Sequence, residues 1–435
     1  MESALHYDTL ITGGTIVTMD GERRILENST LAISDSTIQA IYSKDNIPIN
    51  INAINRIDAR GKVIIPGLIN AHSHIAMTLF RGLVEDLVLQ KWLERVWHYE
   101  LNILDVDSVR AGTMLAFAEM IRGGVTCVHD MYWHYMATID LAEEIGFNLI
   151  SGPPITGLGD PDFDEMIATA RSVLEQIKDY NFIHPVIQAQ STYTTTPEMM
   201  HKVLEFKGEY GVPFTTHASE NQTELEVVRQ QYGKTPIELL KSYGLLDTGT
   251  ILAHCVKLND HEIAMLSESG THVAHCPESN LKLGSGIARI ADMVAAGVNI
   301  CIGTDGATSN NDLDMLGEIR TAALLQKGVN ENPELLTTMQ AMEMATINGA
   351  KAFGLDHLMG SIEAGKQADL AIIDFDKSHL TPCYDIYAHL IYAVNKSDVD
   401  TVLINGKIHM QDGELNYLDE EAIKAEVHQI GEKFK

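Results

Sequence analysis

Histidines and an aspartate that can bind a metal ion stand at the ends of short apolar runs. His72 and His74 are two residues apart, so in an extended strand both imidazoles point to the same side. His217, His254 and Asp305 each follow another apolar run. Imidazole and carboxylate ligands suit zinc, with iron(II) or manganese(II) as alternatives. Because several buried rings without partners would be costly, the pattern predicts one divalent metal site.

Hydrolytic chemistry is the activity that such a site supports best. A metal can lower the pKa of its water to about 7, and a base must then pass a proton to the leaving group. Glu220, three residues after His217, fits the role of this base; an exposed loop carboxylate is the alternative interpretation. His254 could hold the attacking hydroxide or polarise the substrate, and Asp305 could serve as both ligand and proton acceptor.

The chain between about residues 61 and 357 alternates short apolar runs with segments of helical spacing. Eight such units predict an α/β fold with a (β/α)8 TIM-type barrel, in which active-site residues gather at the carboxyl ends of the strands. A doubly wound open sheet is the alternative, although no glycine-rich nucleotide loop follows the first strand. The predicted strands are Gly67–His72, Val125–Asp130, Asn148–Gly152, Ile183–Gln190, Pro213–His217, Thr250–His254, His272–His275 and Asn299–Asp305.

Both ends of the chain are rich in short β-type runs instead. Near the start, Thr9–Ile11 and Thr15–Met19 are predicted as separate strands with a turn at Gly13-Gly14. Strand-like sequence returns after residue 358. We therefore expect a small β-sandwich formed by residues 1–60 and 358–420, a barrel over 61–357, and a surface helix over 421–435.

Charge and cysteine content narrow the functional classes. The chain has 31 basic and 60 acidic residues, for a formal charge of -29. This surface repels phosphate backbones and anionic lipids, which argues against nucleic-acid and membrane partners. The five scattered cysteines do not form a disulfide or zinc-ribbon pattern. The N-terminal sequence lacks the features of a secretory signal, so we expect a cytoplasmic protein.

Strings around the candidate ligands resemble motifs of the amidohydrolase superfamily, and the resemblance covers nearly the whole chain. Within the superfamily the chain is similar to the methylthioadenosine/S-adenosylhomocysteine deaminases and to related triazine hydrolases. The matching segments are residues 66–74, 217–220, 253–256, 275–284, 303–306 and 364–370.

The resemblance implies a role for each matching residue. His72, His74, His217 and Asp305 would bind the metal, while Glu220 and His254 would flank the attacking water and the substrate ring. Glu100, near Trp92, stands where these deaminases place a ribose-binding carboxylate, and the family suggests a homo-oligomer. From its position shortly after Asp305, Ser309 could shape the ring pocket, or it could belong to a loop turn.

Two departures from the family pattern concern the substrate. Gln190 replaces a histidine at the end of the fourth strand, and residues 151–157 lack the arginines that would bind an amino-acid carboxylate. Residues 183–193 contain no lysine, which favours one metal ion over two. We therefore predict ammonia release from 5′-methylthioadenosine or an adenosine-like nucleoside, with S-adenosylhomocysteine disfavoured. The alternatives are hydrolysis of another amino- or chloro-substituted heterocycle (pyrimidine, pterin or s-triazine) and a binding scaffold without catalysis.

Overall fold

The computed structural model describes residues 5–435. The strands are β1 Leu5–Val17, β2 Ile25–Ser34, β3 Thr37–Tyr42, β4 Ile51–Asp58, β5 Lys62–Pro66, β6 Leu68–His74, β7 Val125–Asp130, β8 Asn148–Ser151, β9 Pro154–Ile155, β10 Ile183–Pro185, β11 Ile187–Ser191, β12 Phe214–Ala218, β13 Thr250–His254, β14 His272–His275, β15 Ile300–Ile302, β16 Asp305–Gly306, β17 Leu370–Asp374, β18 Val399–Ile404, β19 Lys407–Gln411 and β20 Glu414–Leu415. The helices are α1 Leu89–Asn102, α2 Val106–Arg122, α3 Tyr135–Ile145, α4 Phe163–Ile177, α5 Pro197–Tyr210, α6 Gln222–Tyr232, α7 Pro236–Ser242, α8 Asp260–Ser269, α9 Pro277–Lys282, α10 Ile290–Ala295, α11 Met315–Val329, α12 Thr338–Met344, α13 Ile347–Ala352, α14 Ile386–Tyr392 and α15 Glu420–Gly431.

The strands of the central part pair in parallel and follow the order of the chain. β6 pairs with β7, β7 with β8 and β8 with β10, and the order continues from β11 through β12, β13 and β14 to β15. β16, which follows β15 after two residues, pairs back with β6. This return to the first parallel strand is not expected of the doubly wound alternative, whose strand order reverses inside the sheet.

Apolar side chains fill the space on both sides of these parallel strands, as is typical of strands covered by helices. One buried cluster joins Ile69, Cys127, Ile150 and Cys301 to Phe353, which follows α13. The cysteines of the apolar runs are buried and free, and Cys383 is free and exposed. None of the helices among the described residues is both long and apolar enough to cross a lipid bilayer.

Strands from both ends of the chain share one sheet. β5 pairs in parallel with β1 and antiparallel with β17, so the N-terminal strands continue directly into β17, β18, β19 and β20. This pairing places the two ends of the chain side by side against the start of β6, the strand that carries His72 and His74.

The predicted turn at Gly13-Gly14 is wrong, because β1 runs without interruption from Leu5 to Val17. The pairing register with β2 shifts on both sides of Gly14, so the extra residue is absorbed in an irregularity of the bulge type. Gly13 has a φ of +79°, and a Cβ on Gly14 would come within 2.9 Å of Ala59 Cβ. The glycines therefore serve a close backbone approach and not a chain reversal.

The C-terminal segment packs against the elements that follow β6. After α15, a 3-10 turn brings Phe434 to within 4.9 Å of Phe80 and 6.2 Å of Tyr99, measured between ring centroids. Lys433 Nζ donates to Asp105 Oδ2, which belongs to the N-cap of α2, at 2.8 Å. Phe434 is buried in the same cluster as Trp92 and Val96 of α1, so the end of the chain supports α1.

This packing predicts that Phe434→Ala lowers the free energy of unfolding by about 3 kcal/mol, because it leaves a cavity in a buried cluster. Chemical denaturation measures the loss, and hydrogen exchange is expected to rise in α1. Tyr384, which is 92% exposed, provides the control, since Tyr384→Ala removes an aromatic ring that buries little surface. Equal stability of the two variants would contradict the supporting role of the C-terminal segment.

Candidate metal centre and active site

The five candidate ligands come from neighbouring ends of four parallel strands. His74 ends β6, and His72 lies two residues before it. His217 is the last residue but one of β12, His254 ends β13, and Asp305 begins β16. In the pairing registers, Asp305 stands opposite Ser73 and His254 opposite Ala218. Strand register therefore brings Asp305 beside β6 and His254 beside β12, each at the carboxyl ends of the strands.

Four of the five side chains form one buried cluster, and the fifth, His74, is partly exposed beside it. Candidate ligand atoms of His72, His217, His254 and Asp305 all lie within 4.8 Å of one another. His74 adjoins this group, because its Nε2 is 3.3 Å from both His217 Nε2 and Asp305 Oδ1. His72 Nε2 is 3.6 Å from the same carboxylate oxygen. Three of the predicted ligands are therefore in the tight group and His74 is at its edge, while His254 is also within reach.

Backbone carbonyls orient two of the imidazoles. Nδ1 of His74 contacts the carbonyl oxygen of Met131, and Nδ1 of His217 contacts that of Gln190. A carbonyl can only accept, so each Nδ1 carries the proton and each Nε2 keeps a free lone pair directed at the cluster. Metal-binding histidines use this arrangement to fix the tautomer of the ring.

His72 supplies the test of whether a metal fits. Its side chain is fully buried, and neither ring nitrogen has a hydrogen-bond partner among the described residues. Burial lowers the pKa of His72 to about 4, so the ring is neutral and its nitrogen is available as a ligand. Leaving such a group unsatisfied costs about 1–3 kcal/mol. An ion bound between the imidazoles and Asp305 removes this cost, and the donor set suits a divalent borderline metal.

Asp305 is held in one orientation by two hydroxyl groups. Ser279 Oγ donates to its Oδ2 at 2.7 Å and Ser309 Oγ donates to the same atom at 2.9 Å, which leaves Oδ1 towards His72 and His74. Burial raises the pKa of Asp305, but the adjacent imidazoles of His72, His74 and His254 outweigh it and hold that pKa well below its usual range. Ser309 is fully buried and supports Asp305; its contact with a substrate stays a prediction.

Glu220 and His254 face the same cavity as the cluster. His254 Nδ1 contacts Asn280 Oδ1 at 2.9 Å, so Nδ1 carries a proton and Nε2 is left for the cavity. Burial raises the pKa of the Glu220 carboxyl, with His254 opposing this shift and Asp305 adding to it. A raised pKa favours the protonated form of a carboxyl group, which can donate its proton.

The predicted substrate contacts line the same cavity. Trp92, Glu100 and Gln190 are among its lining residues. Glu100 Oε2 accepts from Trp133 Nε1 at 3.1 Å, while Oε1 is buried without a partner among the described residues. Thr194 Oγ1 donates to Gln190 Oε1 at 2.6 Å, so the Gln190 amide keeps its two N–H groups as free donors.

Other polar groups of the site were not predicted from the sequence. Glu224 lines the cavity and is 4% exposed, Asn280 orients His254, and Trp133 holds Glu100. Asn280 lies inside a segment with family resemblance, which is a signal that could have found it. His129 is buried, and its Nε2 contacts Gln188 Oε1 at 2.9 Å.

Comparison with known proteins agrees with this geometry. Residues 63–409 match the model of a family described as "Amidohydrolase family". A 5-methylthioadenosine/S-adenosylhomocysteine deaminase of Moorella thermoacetica is 42% identical over 424 residues, covering 96% of this chain and 97% of the relative. A zinc-bound adenosine deaminase structure from Xanthomonas campestris has a TM-score of 0.96 at 33% identity and covers 99% of both chains. An atrazine chlorohydrolase structure from Arthrobacter aurescens, complexed with zinc, has a TM-score of 0.90 at 25% identity, covering 97% and 100%. The chain thus has a TIM-barrel-type α/β fold.

The serine pair on Asp305 predicts a measurable effect on metal affinity. Ser279→Ala and Ser309→Ala should each weaken zinc binding about tenfold, because a carboxylate ligand loses the hydrogen bond that orients it. Competition with a fluorescent zinc chelator measures the change. Ser269→Ala, which removes a hydroxyl bonded to a backbone carbonyl of α8, should leave zinc affinity unchanged. If Ser309→Ala raises KM without weakening zinc binding, Ser309 contacts the substrate and does not support Asp305.

Proposed function

The chain belongs to the amidohydrolase family, and on that premise we propose that it is a metal-dependent deaminase acting on an adenine-type nucleoside. One observation carries the proposal: buried imidazoles and a carboxylate share a cavity with Glu220, His254 and the unpartnered oxygen of Glu100. The name of the Moorella relative and the adenosine deaminase structure support the same chemistry.

His72, His74, His217 and Asp305 would hold one divalent ion, for which zinc is our proposal. Three observations support this assignment. The ring tautomers of His74 and His217 are fixed, His72 has no hydrogen-bond partner among the described residues, and the Asp305 carboxylate is held in one orientation. Iron(II) and manganese(II) accept similar donors. When bound there, the ion supplies Lewis acidity that brings the pKa of water to about 7.

The chain's own residues move the protons of the reaction. The oxygen of water adds to the ring carbon that bears the amino group, and that amino group leaves as ammonia. Asp305 takes up one proton from the attacking water and passes it to the amino group, which can then leave as ammonia. Glu220, whose pKa is raised by burial, delivers a proton to the adjacent ring nitrogen and recovers one from the new hydroxyl group as the ring ketone forms, while His254 holds the new oxygen through Nε2. One water is consumed, and the products are a ring ketone and ammonia.

Three other residues that line the cavity would bind the nucleoside. The buried Oε1 of Glu100 would accept a hydrogen bond from a ribose hydroxyl, because it has no partner among the described residues. The free N–H groups of Gln190 would donate to a ring nitrogen in place of the family histidine. Trp92 would pack against the nucleoside, since its ring lines the cavity and is 5% exposed.

We further propose that the favoured nucleoside carries an uncharged 5′ group. An uncharged part of the cavity wall includes Leu93, Trp97 and Leu158, and no lysine or arginine is present among the described lining residues. Burying the charged amino-acid end of S-adenosylhomocysteine there would remove it from water without a partner. 5′-Methylthioadenosine places a small apolar thioether in the same position.

The division of the chain into domains is also part of this proposal. The return of β16 to β6 supports a closed barrel over residues 61–357, and the shared sheet supports one β-domain formed by both parts of the chain. Its form as a β-sandwich of residues 1–60 and 358–420 stays a prediction, and residues 1–4 lie outside the described residues. α15 and its 3-10 turn correspond to the helix expected over 421–435. A cytoplasmic location and a homo-oligomer stay predictions from the sequence.

The metal-dependent reaction predicts that zinc-loaded protein releases ammonia from 5′-methylthioadenosine and that chelator-treated protein does not. Glu220→Gln should lower kcat about a thousandfold, because the amide cannot transfer the proton. Glu226→Gln, an exposed change on α6, is the control and should keep full activity. Absence of ammonia from purine, pyrimidine, pterin and triazine amines would refute deamination, and release of chloride from a chlorotriazine would favour the alternative substrate class.

The uncharged wall predicts that kcat/KM for 5′-methylthioadenosine exceeds that for S-adenosylhomocysteine at least about tenfold, from a desolvation cost above about 1.4 kcal/mol. 5′-Butylthioadenosine is the control for size, since it has a longer thioether without charges. We expect it to be deaminated better than S-adenosylhomocysteine. Equal kcat/KM values for the charged and uncharged thioethers would contradict the proposed role of the wall.

A further inference from the structure

A second buried glutamate lies directly behind Glu220. Glu224, in the first turn of α6, is 4% exposed, and its Oε2 accepts a hydrogen bond from the backbone N–H of Glu220 at 2.7 Å. Asn221 caps the same helix by accepting from the Glu224 N–H at 2.9 Å. In α8 the corresponding Glu262 bonds to the N–H of its own N-cap residue, Asn259. Glu224 reaches one residue further, to the residue proposed as the proton donor.

Glu220 depends on its backbone for orientation. It lies between β12, which ends at Ala218, and α6, which begins at Gln222, so no strand ladder or helix holds it. The preceding residue, Ser219, has a left-handed φ of +53°. The hydrogen bond from Ser285 Oγ to Glu220 Oε1 is long, at 3.4 Å, and such a contact restrains a side chain weakly.

We propose that Glu224 is a positioning residue that fixes the Glu220 backbone and thereby aims the Glu220 carboxyl at the substrate. The proposal rests on the proposed function of Glu220 as proton donor. The second oxygen of Glu224 lies 3.4 Å from Thr192 Oγ1, just after β11, which is a long contact, so the 2.7 Å bond to the Glu220 N–H is the main one that Glu224 makes. Reaction geometry is sensitive to such support, since a displacement of about 1 Å can cost about 100-fold in rate.

An acceptor oxygen is what this role requires, and not a charge. Burial raises the pKa of Glu224 to about 7, although the N–H of Glu220 opposes the shift. The protonated acid and the carboxylate both offer an oxygen that accepts the Glu220 N–H. A glutamine at this position can offer the same acceptor, whereas leucine cannot.

The kinetic test compares three variants in the zinc-loaded protein with 5′-methylthioadenosine. Glu224→Gln should keep kcat within about threefold of the wild type, and Glu224→Leu should lower kcat about 10- to 100-fold with KM changed less than about twofold. Glu262→Leu removes the same type of helix-cap hydrogen bond, with Glu262 only 2% exposed, and should keep kcat. If Glu224→Leu does not fold, Glu224→Asp replaces it, because its carboxyl group is one methylene too short to reach Glu220.

Hydrogen exchange at the Glu220 amide tests the same inference without catalysis. In a peptide that contains Ser219–Asn221, exchange should speed up at least about tenfold in Glu224→Leu and stay slow in Glu224→Gln and Glu262→Leu. Unchanged exchange, or equal losses of kcat in the leucine and glutamine variants, overturns the inference. A wild type that releases no ammonia refutes the proposed function, while the exchange result still decides whether Glu224 holds the Glu220 backbone.

Discussion

The burial of polar rings beside one carboxylate is the constraint around which the site is arranged. His72 is fully enclosed and its ring nitrogens have no partner among the described residues, while Asp305 is held by two serine hydroxyls on its far side. A protein interior does not tolerate such groups without compensation. A cation bound between these groups would therefore stabilise the folded strand ends, so that folding of this region is coupled to metal binding.

The parallel strands place these groups at the edge of a cavity. β16 pairs with β6 and β12 pairs with β13, and the candidate ligands at the ends of these strands, with His254, lie close together. The segments that leave this edge then supply the remaining groups. α1 brings Trp92 and Glu100, the link before α6 brings Glu220, and the C-terminal turn supports α1 through Phe434. Phe434, which is far from α1 in the sequence, thus supports the part of the cavity wall that α1 forms.

Sequence reasoning located the ligand candidates because their positions follow a simple rule. A histidine or aspartate at the end of an apolar strand run has few structural explanations. Finding such residues requires only the positions of the strand ends in the sequence, and no knowledge of the contacts between strands. The β1 prediction failed because a glycine pair predicts a turn and a bulge equally well, and only the neighbouring Ala59 decides between them. The sequence did not indicate three hydrogen bonds of the site. Ser309 donates to Asp305, the Glu220 N–H donates to Glu224, and Trp133 donates to Glu100. Each of these contacts depends on how loops fold back over the strand ends, and no periodicity records that.

X-ray absorption spectroscopy of the purified protein, combined with metal analysis, tests the central claim most directly. The account predicts about one zinc per chain, with a coordination shell of imidazole nitrogens at about 2.0–2.1 Å and carboxylate oxygen. In the His72→Ala variant the imidazole scattering should decrease and the metal content should fall. Protein that contains no divalent metal after zinc supplementation, or a zinc shell without imidazole, would contradict the account.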